Sequence, residues 1–361
     1  MSASADPRPV LVMAGGTGGH VFPGLAAAAA LRERAIPVVW LGAEGGMEAT
    51  LVPKHGLPFR AIRVGGLRGK GFARLLSTPW MLARAVWAAL AVLRREQPRS
   101  VLSMGGYAAG PGGLAASLLR CPLIVHEQNR IPGLTNRVLA KLARRVLTGF
   151  PDAFAGHGEW VGNPVRAAIA ALPAPAERFA GRSGPLRLLV LGGSQGARAL
   201  NRLLPEAIAK LPAERRPDIW HQCGAKLAEE ARAAWAGTGI AARVEPFVED
   251  MAAAYGWADL VLCRAGALTI AELTAAGLGA LLVPFPHAVD DHQSANARWL
   301  VDAGAAELLP EATLDAAVLA ARLDALAADR ERLLAMAEAA RGLAHVDAAE
   351  RVADACLELA R

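Results

Sequence analysis

Three stretches of this chain hold side chains whose types and spacing could do chemistry. The first is "AGGTGGH" (residues 14–20), where four glycines and Thr17 lead to His20 between a short apolar run, Val10–Ala14, and a long Ala/Leu run. Glycine-rich loops between a strand and a helix bind anions, because bare N–H groups and the helix start both favour negative charge. An imidazole placed there is a side chain of the type used for general acid–base chemistry and could take a proton from a bound hydroxyl. The second is "CRAGALTIAEL" (263–273), with Arg264 and then small residues opening a helix, a start that leaves N–H groups exposed to a diphosphate. Glu272, about one turn on, could accept hydrogen bonds from a ribose diol. The spacing Thr269-x-x-Glu272 also fits a capping box, which would make Glu272 a local helix-start partner. The third is Asp290-Asp291-His292-Gln293, polar groups suited to sugar hydroxyls.

Several chemistries are disfavoured. The dinucleotide fingerprint G-x-G-x-x-G begun at Gly16 meets Val21 where its third glycine should stand, and no G-x-x-x-x-G-K-[ST] occurs. The four cysteines, Cys121, Cys223, Cys263 and Cys356, are scattered without metal-ligand spacing, which argues against a disulfide framework and a zinc site. The first apolar run is too short for the core of a signal peptide. The longest apolar segment, Trp80–Leu93, is interrupted by Arg84 and falls short of the ~20 residues of a spanning helix. A cytosolic protein is expected, with membrane-surface binding left open.

The elements that must position these residues come in two sets. At 361 residues the chain suits about two domains of ~150 residues. "LRLLVLGGSQGARALNRLL" (186–204) repeats the opening strand, glycine turn and helix, with Gly192-Gly193-Ser194-Gln195 in the place of Gly15-Gly16-Thr17-Gly18. Strand-like runs follow each copy: "VVWLG", "SVLSMGG" and "PLIVHE", then "IWHQCG", "DLVLCR" and "ALLVPF". Alternation with helical runs predicts an α/β protein with a parallel sheet in each half and ligands beyond the carboxyl ends of the strands. The Pro/Gly-rich stretch 171–185 reads as the connector. Charge is uneven: residues 1–163 hold 19 Lys+Arg against 8 Asp+Glu, whereas the whole chain has a net charge of only +6. The basic half calls for a polyanionic partner. With 5% aromatic residues and no nucleic-acid motif, nucleic acid is not expected to be that partner.

"GGTGGHVFPGLA", "GGLRGK", "GGYAAGPGGLAA", "HEQNRIPGLTNR", "VGNPVR", "LGGSQGARALN", "CRAGALTIAEL" and "DDHQSANA" occur in this order from about residue 10 onward. Together they resemble the MurG family of bacterial UDP-N-acetylglucosamine transferases of peptidoglycan synthesis. The resemblance implies a GT-B fold, two Rossmann-like domains with parallel sheets facing a deep cleft. It implies an N-terminal acceptor- and membrane-binding domain, 1–164, joined by a C-terminal helix at 342–361, and a UDP-GlcNAc-binding domain, 165–341. The implied reaction moves N-acetylglucosamine from UDP-GlcNAc, with inversion, to the C4 hydroxyl of the MurNAc-pentapeptide of lipid I (undecaprenyl-diphospho-MurNAc-pentapeptide), giving lipid II. A UDP-GlcNAc 2-epimerase, or another GT-B sugar-nucleotide enzyme, is the alternative.

Carried over by motif, Ser194, Ala267, Leu268 and Thr269 would contact the donor diphosphate, with Arg264 close by. Glu272 would hold the ribose, Arg166 and the Val248 backbone the uracil, and Asn129 and Gln293 the sugar. Thr17, Gly18 and Gly19 count with the donor contacts and line the acceptor side, where Gly15, Gly16, Gly105, Gly106 and Tyr107 would meet the acceptor. His20 is the candidate base, or else an orienting group, with Glu127 as the second candidate base. Cys223 stands where Ser or Thr is expected. No metal and no cofactor are implied beyond UDP-GlcNAc as substrate. Residues 68–95 mix Leu75, Leu76, Trp80, Met81 and Trp87 with Arg68, Lys70, Arg74, Arg84, Arg94 and Arg95, the composition of an interfacial anchor. The resemblance places the chain at the cytoplasmic face of the inner membrane, bound peripherally to its anionic surface, with partners among cell-wall synthesis proteins.

Overall fold

The computed structural model of the protein describes residues 6–64, 72–193 and 196–359, and the side chains of all of these except residues 72–78 and Val289. Ser194 and the segment "GGLRGK" therefore lie outside the described residues, as do the side chains of Leu75 and Leu76. The chain forms two units, one of Met1–Val165 with Val346–Arg361, the other of Arg166–His345.

The first unit is built on seven parallel strands, β1 Val10–Ala14, β2 Val38–Ala43, β3 Phe59–Ile62, β4 Ser100–Gly105, β5 Leu123–Glu127, β6 Arg145–Thr148 and β7 Glu159–Trp160, in the order β3-β2-β1-β4-β5-β6-β7. The second unit has β8 Arg187–Leu191, β9 Asp218–Gln222, β10 Arg243–Glu245, β11 Leu260–Cys263, β12 Gly279–Leu282 and β13 Ala306–Leu308, in the order β10-β9-β8-β11-β12-β13. The order of the first six strands is thus the same in both, and in each the chain reverses direction across the sheet at its first strand. Central strands buried on both faces must be apolar throughout, and β1 is: all five of its residues are buried. Alternate residues serve opposite faces. Val10, Val12 and Ala14 pack in one core with the helix Gly18–Glu33, while Leu11 and Met13 join the other with the helices Phe72–Glu96 and Ala109–Leu118.

The last helix, Ala348–Glu358, returns to the first unit. Its Val352, Ala353 and Cys356 complete the core beneath Gly18–Glu33, and Arg34 pairs with Asp354 at 2.5 Å. The stretch 171–185 corrects the expected connector, because it belongs wholly to the second unit. Pro175 stands at the first turn of a short helix, Pro175–Phe179, where its missing N–H costs nothing. Arg178 from that helix donates to the carbonyls of Tyr255 and Ala276, at 3.3 and 2.7 Å. Burial among these groups pushes the Arg178 guanidinium down to about 10. The crossing between units falls at Val165–Arg166 instead, inside "NPVR".

The loops that follow β1 and β4 touch where the sheet order reverses, the position at which open α/β sheets bind ligands. Gly106, at φ +95°, comes so close to the first loop that a Cβ there would lie 2.3 Å from the Gly15 carbonyl oxygen. Only glycine permits both that backbone conformation and that approach.

Candidate active site

In the first unit, the opening loop is tied from below. Gly16 takes φ +88°, and its N–H donates to Glu48 Oε2 at 3.1 Å, while Ala43 N–H donates to Oε1 at 3.0 Å. Glu48 is fully buried and reaches the loop from the helix Met47–Lys54, a role with no signal in its local sequence. Thr17 then caps the helix Gly18–Glu33 through its backbone only, with His20 third in the helix. His20 Nδ1 lies 2.7 Å from Gln128 Oε1, and the β4 loop passes beneath the ring at Gly105. Among the described residues Nε2 makes no hydrogen bond, so the ring is held at one nitrogen and open at the other. Tyr107, half exposed, sets its ring edge beside Gly16.

Glu127, the second candidate base, is 1% exposed. Its Oε1 accepts from Asn129 N at 2.9 Å and Asn129 Nδ2 at 3.3 Å; its Oε2 accepts from Gly133 N at 3.1 Å and Asn136 Nδ2 at 2.9 Å. A carboxylate so occupied organises the loop 128–133 and has little left to offer a substrate hydroxyl.

In the second unit, the helix Ala267–Ala276 begins after Gly266, and its first regular bond runs from Ile270 N to the Gly266 carbonyl at 2.9 Å. The N–H groups of Ala267, Leu268 and Thr269 precede that bond and point out of the helix start. Thr269 is therefore third in the helix and not its cap, so the capping-box reading of Glu272 fails. Glu272, 5% exposed, instead accepts from Arg166 at 2.6 Å and from the Tyr255 hydroxyl at 3.0 Å. Burial and the Glu272 charge together raise the Tyr255 phenol well above its ordinary range, so it remains a donor.

Gln222 does for the second glycine loop what Glu48 does for the first: Gly193 N–H donates to its Oε1 at 3.0 Å, and its Nε2 donates to the carbonyls of Gly193 and Pro246. Arg264 donates to the Val283 and Pro284 carbonyls and pairs with Glu311 at 2.5 Å, which ties the end of β11 to the loop after β12. Gln293 Oε1 accepts from Phe285 N–H at 2.9 Å, and Val248 is buried. The Cys223 thiol is buried and donates to the Glu245 carbonyl at 3.3 Å, as a hydroxyl would. Among the described residues no cluster of His, Cys, Asp and Glu has metal-holding geometry.

Each unit thus ends in a stapled glycine loop, with an open imidazole nitrogen on one unit and an open helix start on the other. The chain matches the glycosyltransferase family 28 N-terminal domain over residues 10–148 and the corresponding C-terminal domain over residues 187–352. It is 61% identical over 358 residues to a Xanthomonas campestris UDP-N-acetylglucosamine–N-acetylmuramyl-(pentapeptide) pyrophosphoryl-undecaprenol N-acetylglucosamine transferase, covering 99% of this chain and 83% of that relative. The Xylella fastidiosa protein of the same name is 60% identical, with 99% and 98% covered. The crystal structure of Acinetobacter baumannii MurG superposes with a TM-score of 0.85 at 40% identity, over 98% of this chain and all of that one. The chain belongs to the MurG family. Its two Rossmann-like halves are those of a GT-B glycosyltransferase, and the two glycine loops of this MurG-family chain follow the first strands of the two halves.

Proposed function

We propose that this chain transfers N-acetylglucosamine from UDP-GlcNAc to the C4 hydroxyl of the muramyl sugar of lipid I, forming lipid II with inversion at the anomeric carbon. Agreement over nearly the full length with relatives named for that transfer carries the reading. In it the N–H groups of Ala267, Leu268 and Thr269, with Ser194, receive the donor diphosphate, where helix-start donors stabilise the charge that builds as it departs. Arg264 supports them from the end of β11. Glu272, held by Arg166 and Tyr255, turns its remaining lone pairs to the ribose, while Arg166 and the Val248 backbone frame the uracil. Asn129 and Gln293 take sugar hydroxyls. Thr17, Gly18, Gly19 and the glycines at 15, 16, 105 and 106, with Tyr107, form the acceptor side. His20, open at Nε2, is the base; Glu127 shapes the loop that carries Asn129. The reaction as written needs no cofactor beyond its two substrates.

Incubation with UDP-GlcNAc, with and without a soluble lipid I analogue, tests this directly. UDP release only in the presence of the acceptor is expected. Formation of UDP-ManNAc without acceptor would replace transfer by epimerisation.

Attachment to the cytoplasmic membrane face follows from the same reading. Along the helix Phe72–Glu96, Trp80 and Trp87 lie two turns apart and are 70% and 69% exposed, with Arg84 exposed between them. No helix among the described residues is long and apolar enough to cross a membrane. Two bare indoles flanked by arginines suit the headgroup boundary of an anionic bilayer, with cell-wall enzymes as neighbours there. Co-sedimentation with phosphatidylglycerol-containing vesicles should be strong at low salt and fall at least ~10-fold in a Trp80→Ser, Trp87→Ser double variant. Equal binding by neutral vesicles and indifference to salt would remove the electrostatic part.

A further inference from the structure

His20 stands at the end of a run of hydrogen bonds that begins at a backbone carbonyl, and that carbonyl sets the direction of every bond after it. His126, wholly buried on β5, places Nε2 2.9 Å from the Gly162 carbonyl oxygen. A carbonyl only accepts, so Nε2 carries the hydrogen. Burial pushes the His126 imidazole down to about 4, so the ring is neutral at neutral pH and its Nδ1 is an acceptor. Gln128 Nε2 lies 3.0 Å from that Nδ1 and 2.8 Å from the His126 carbonyl oxygen. Both neighbours accept, so the amide nitrogen and not the oxygen must face them; a flipped amide would set two carbonyl oxygens against each other. Gln128 Oε1 is then left facing His20 Nδ1 at 2.7 Å, and that contact requires a hydrogen on Nδ1. The surrounding backbone is held as well, since Asn163 Nδ2 donates to the Gln128 carbonyl at 3.0 Å and Asn136 Nδ2 to the His126 carbonyl at 3.2 Å.

We propose that Gln128, aligned by His126 and the Gly162 carbonyl, is a positioning residue of the transfer: it holds neutral His20 as the Nδ1–H tautomer, so that the lone pair stands on Nε2. The catalytic part rests on the reading of His20 as the base. In the transfer Nε2 takes the proton of the acceptor C4 hydroxyl. The C4 oxygen forms its bond to the anomeric carbon, and the bond from that carbon to the diphosphate oxygen breaks with its electron pair leaving on UDP. Were the hydrogen on Nε2, the open nitrogen could only donate, and the first step would have no acceptor for its proton. The amide does this without a second charge, whereas hydrolases with a Ser-His-Asp triad use a carboxylate for the same task.

Nitrogen NMR of the full chain labelled with ¹⁵N-histidine reads the tautomer, with the His20 signals identified by their loss in His20→Gln. At a pH where the ring is neutral, the wild type is expected to show a protonated Nδ1 and an unprotonated Nε2. In Gln128→Leu the Nε2–H form should appear, and kcat should fall about tenfold or more, part of the ~10²–10⁴ of a general base. KM for UDP-GlcNAc should stay within about twofold. A wild-type His20 protonated at Nε2 overturns the proposal without any variant, as does a Gln128→Leu protein with unchanged tautomer and kcat. Failure of the base reading looks different: His20→Ala would keep a near-normal kcat while the wild-type spectrum still showed the Nδ1–H form.

Discussion

His20→Ala and His20→Gln are each expected to lower kcat by at least ~100-fold, the low end of what a general base contributes and about 2.7 kcal/mol of barrier. The ring is anchored at Nδ1 and open at Nε2, third in a helix that follows the loop Glu48 holds at Gly16. His20 lies outside the hydrophobic core, and its loss leaves only the buried Gln128 Oε1 without its partner, so the variants should remain folded and lose about 1–3 kcal/mol of stability at most. That separation gives the kinetic result its meaning. A base is needed only as the acceptor oxygen attacks, so its removal lowers kcat and kcat/KM together. A group that merely orients the acceptor would raise the acceptor KM with kcat near normal, and that outcome would assign His20 to binding. Glu127→Gln supplies the contrast: it weakens a loop scaffold of four hydrogen bonds, so thermal stability should fall along with activity.

The second large effect is expected on the donor side. Glu272→Ala should raise KM for UDP-GlcNAc by about tenfold or more, since a hydrogen bond to a charged group contributes about 1.5–3 kcal/mol. It should also lower stability, because the buried Tyr255 hydroxyl loses its acceptor at a cost of about 1–3 kcal/mol. Glu272→Gln keeps an acceptor for Tyr255 and should recover most of the stability while retaining part of the donor defect. Steady-state kinetics beside thermal unfolding decide the matter. A lowered melting temperature with unchanged donor KM would leave Glu272 a purely structural partner of Arg166 and Tyr255.

The central architecture was legible because its causes are local. Val10–Ala14 and Arg187–Leu191 are short apolar runs ended by glycines, and such runs in alternation with helices have few folds open to them. The edge strands β3, β7, β10 and β13 were not legible. They are two to four residues long, and β3, β7 and β10 are largely uncovered on one face, so no apolar pattern marks them. The connector was misplaced for a related reason: Pro175 opens a short helix whose half-buried Arg178 is held by backbone carbonyls, and composition alone does not separate that from a linker.

At the site, motifs marked the candidate residues, while the side chains that hold the glycine loops and His20 carried no such mark. Glu48 reaches a loop 32 residues before it, Gln222 one 29 residues before, and Gln128 a histidine 108 residues away. Pairings of that range leave no periodic trace. The two roles open for Glu272 were separable only once Gly266, and not Thr269, proved to precede the helix.

Analysis of the product of the acceptor-dependent reaction shows which bond the protein forms. Mass spectrometry with proton NMR of the anomeric linkage should find one N-acetylglucosamine added to the muramyl C4 oxygen in β configuration, with one UDP released per transfer. An α linkage, attachment at another oxygen, or UDP released without any disaccharide would rule out inverting transfer to the C4 oxygen.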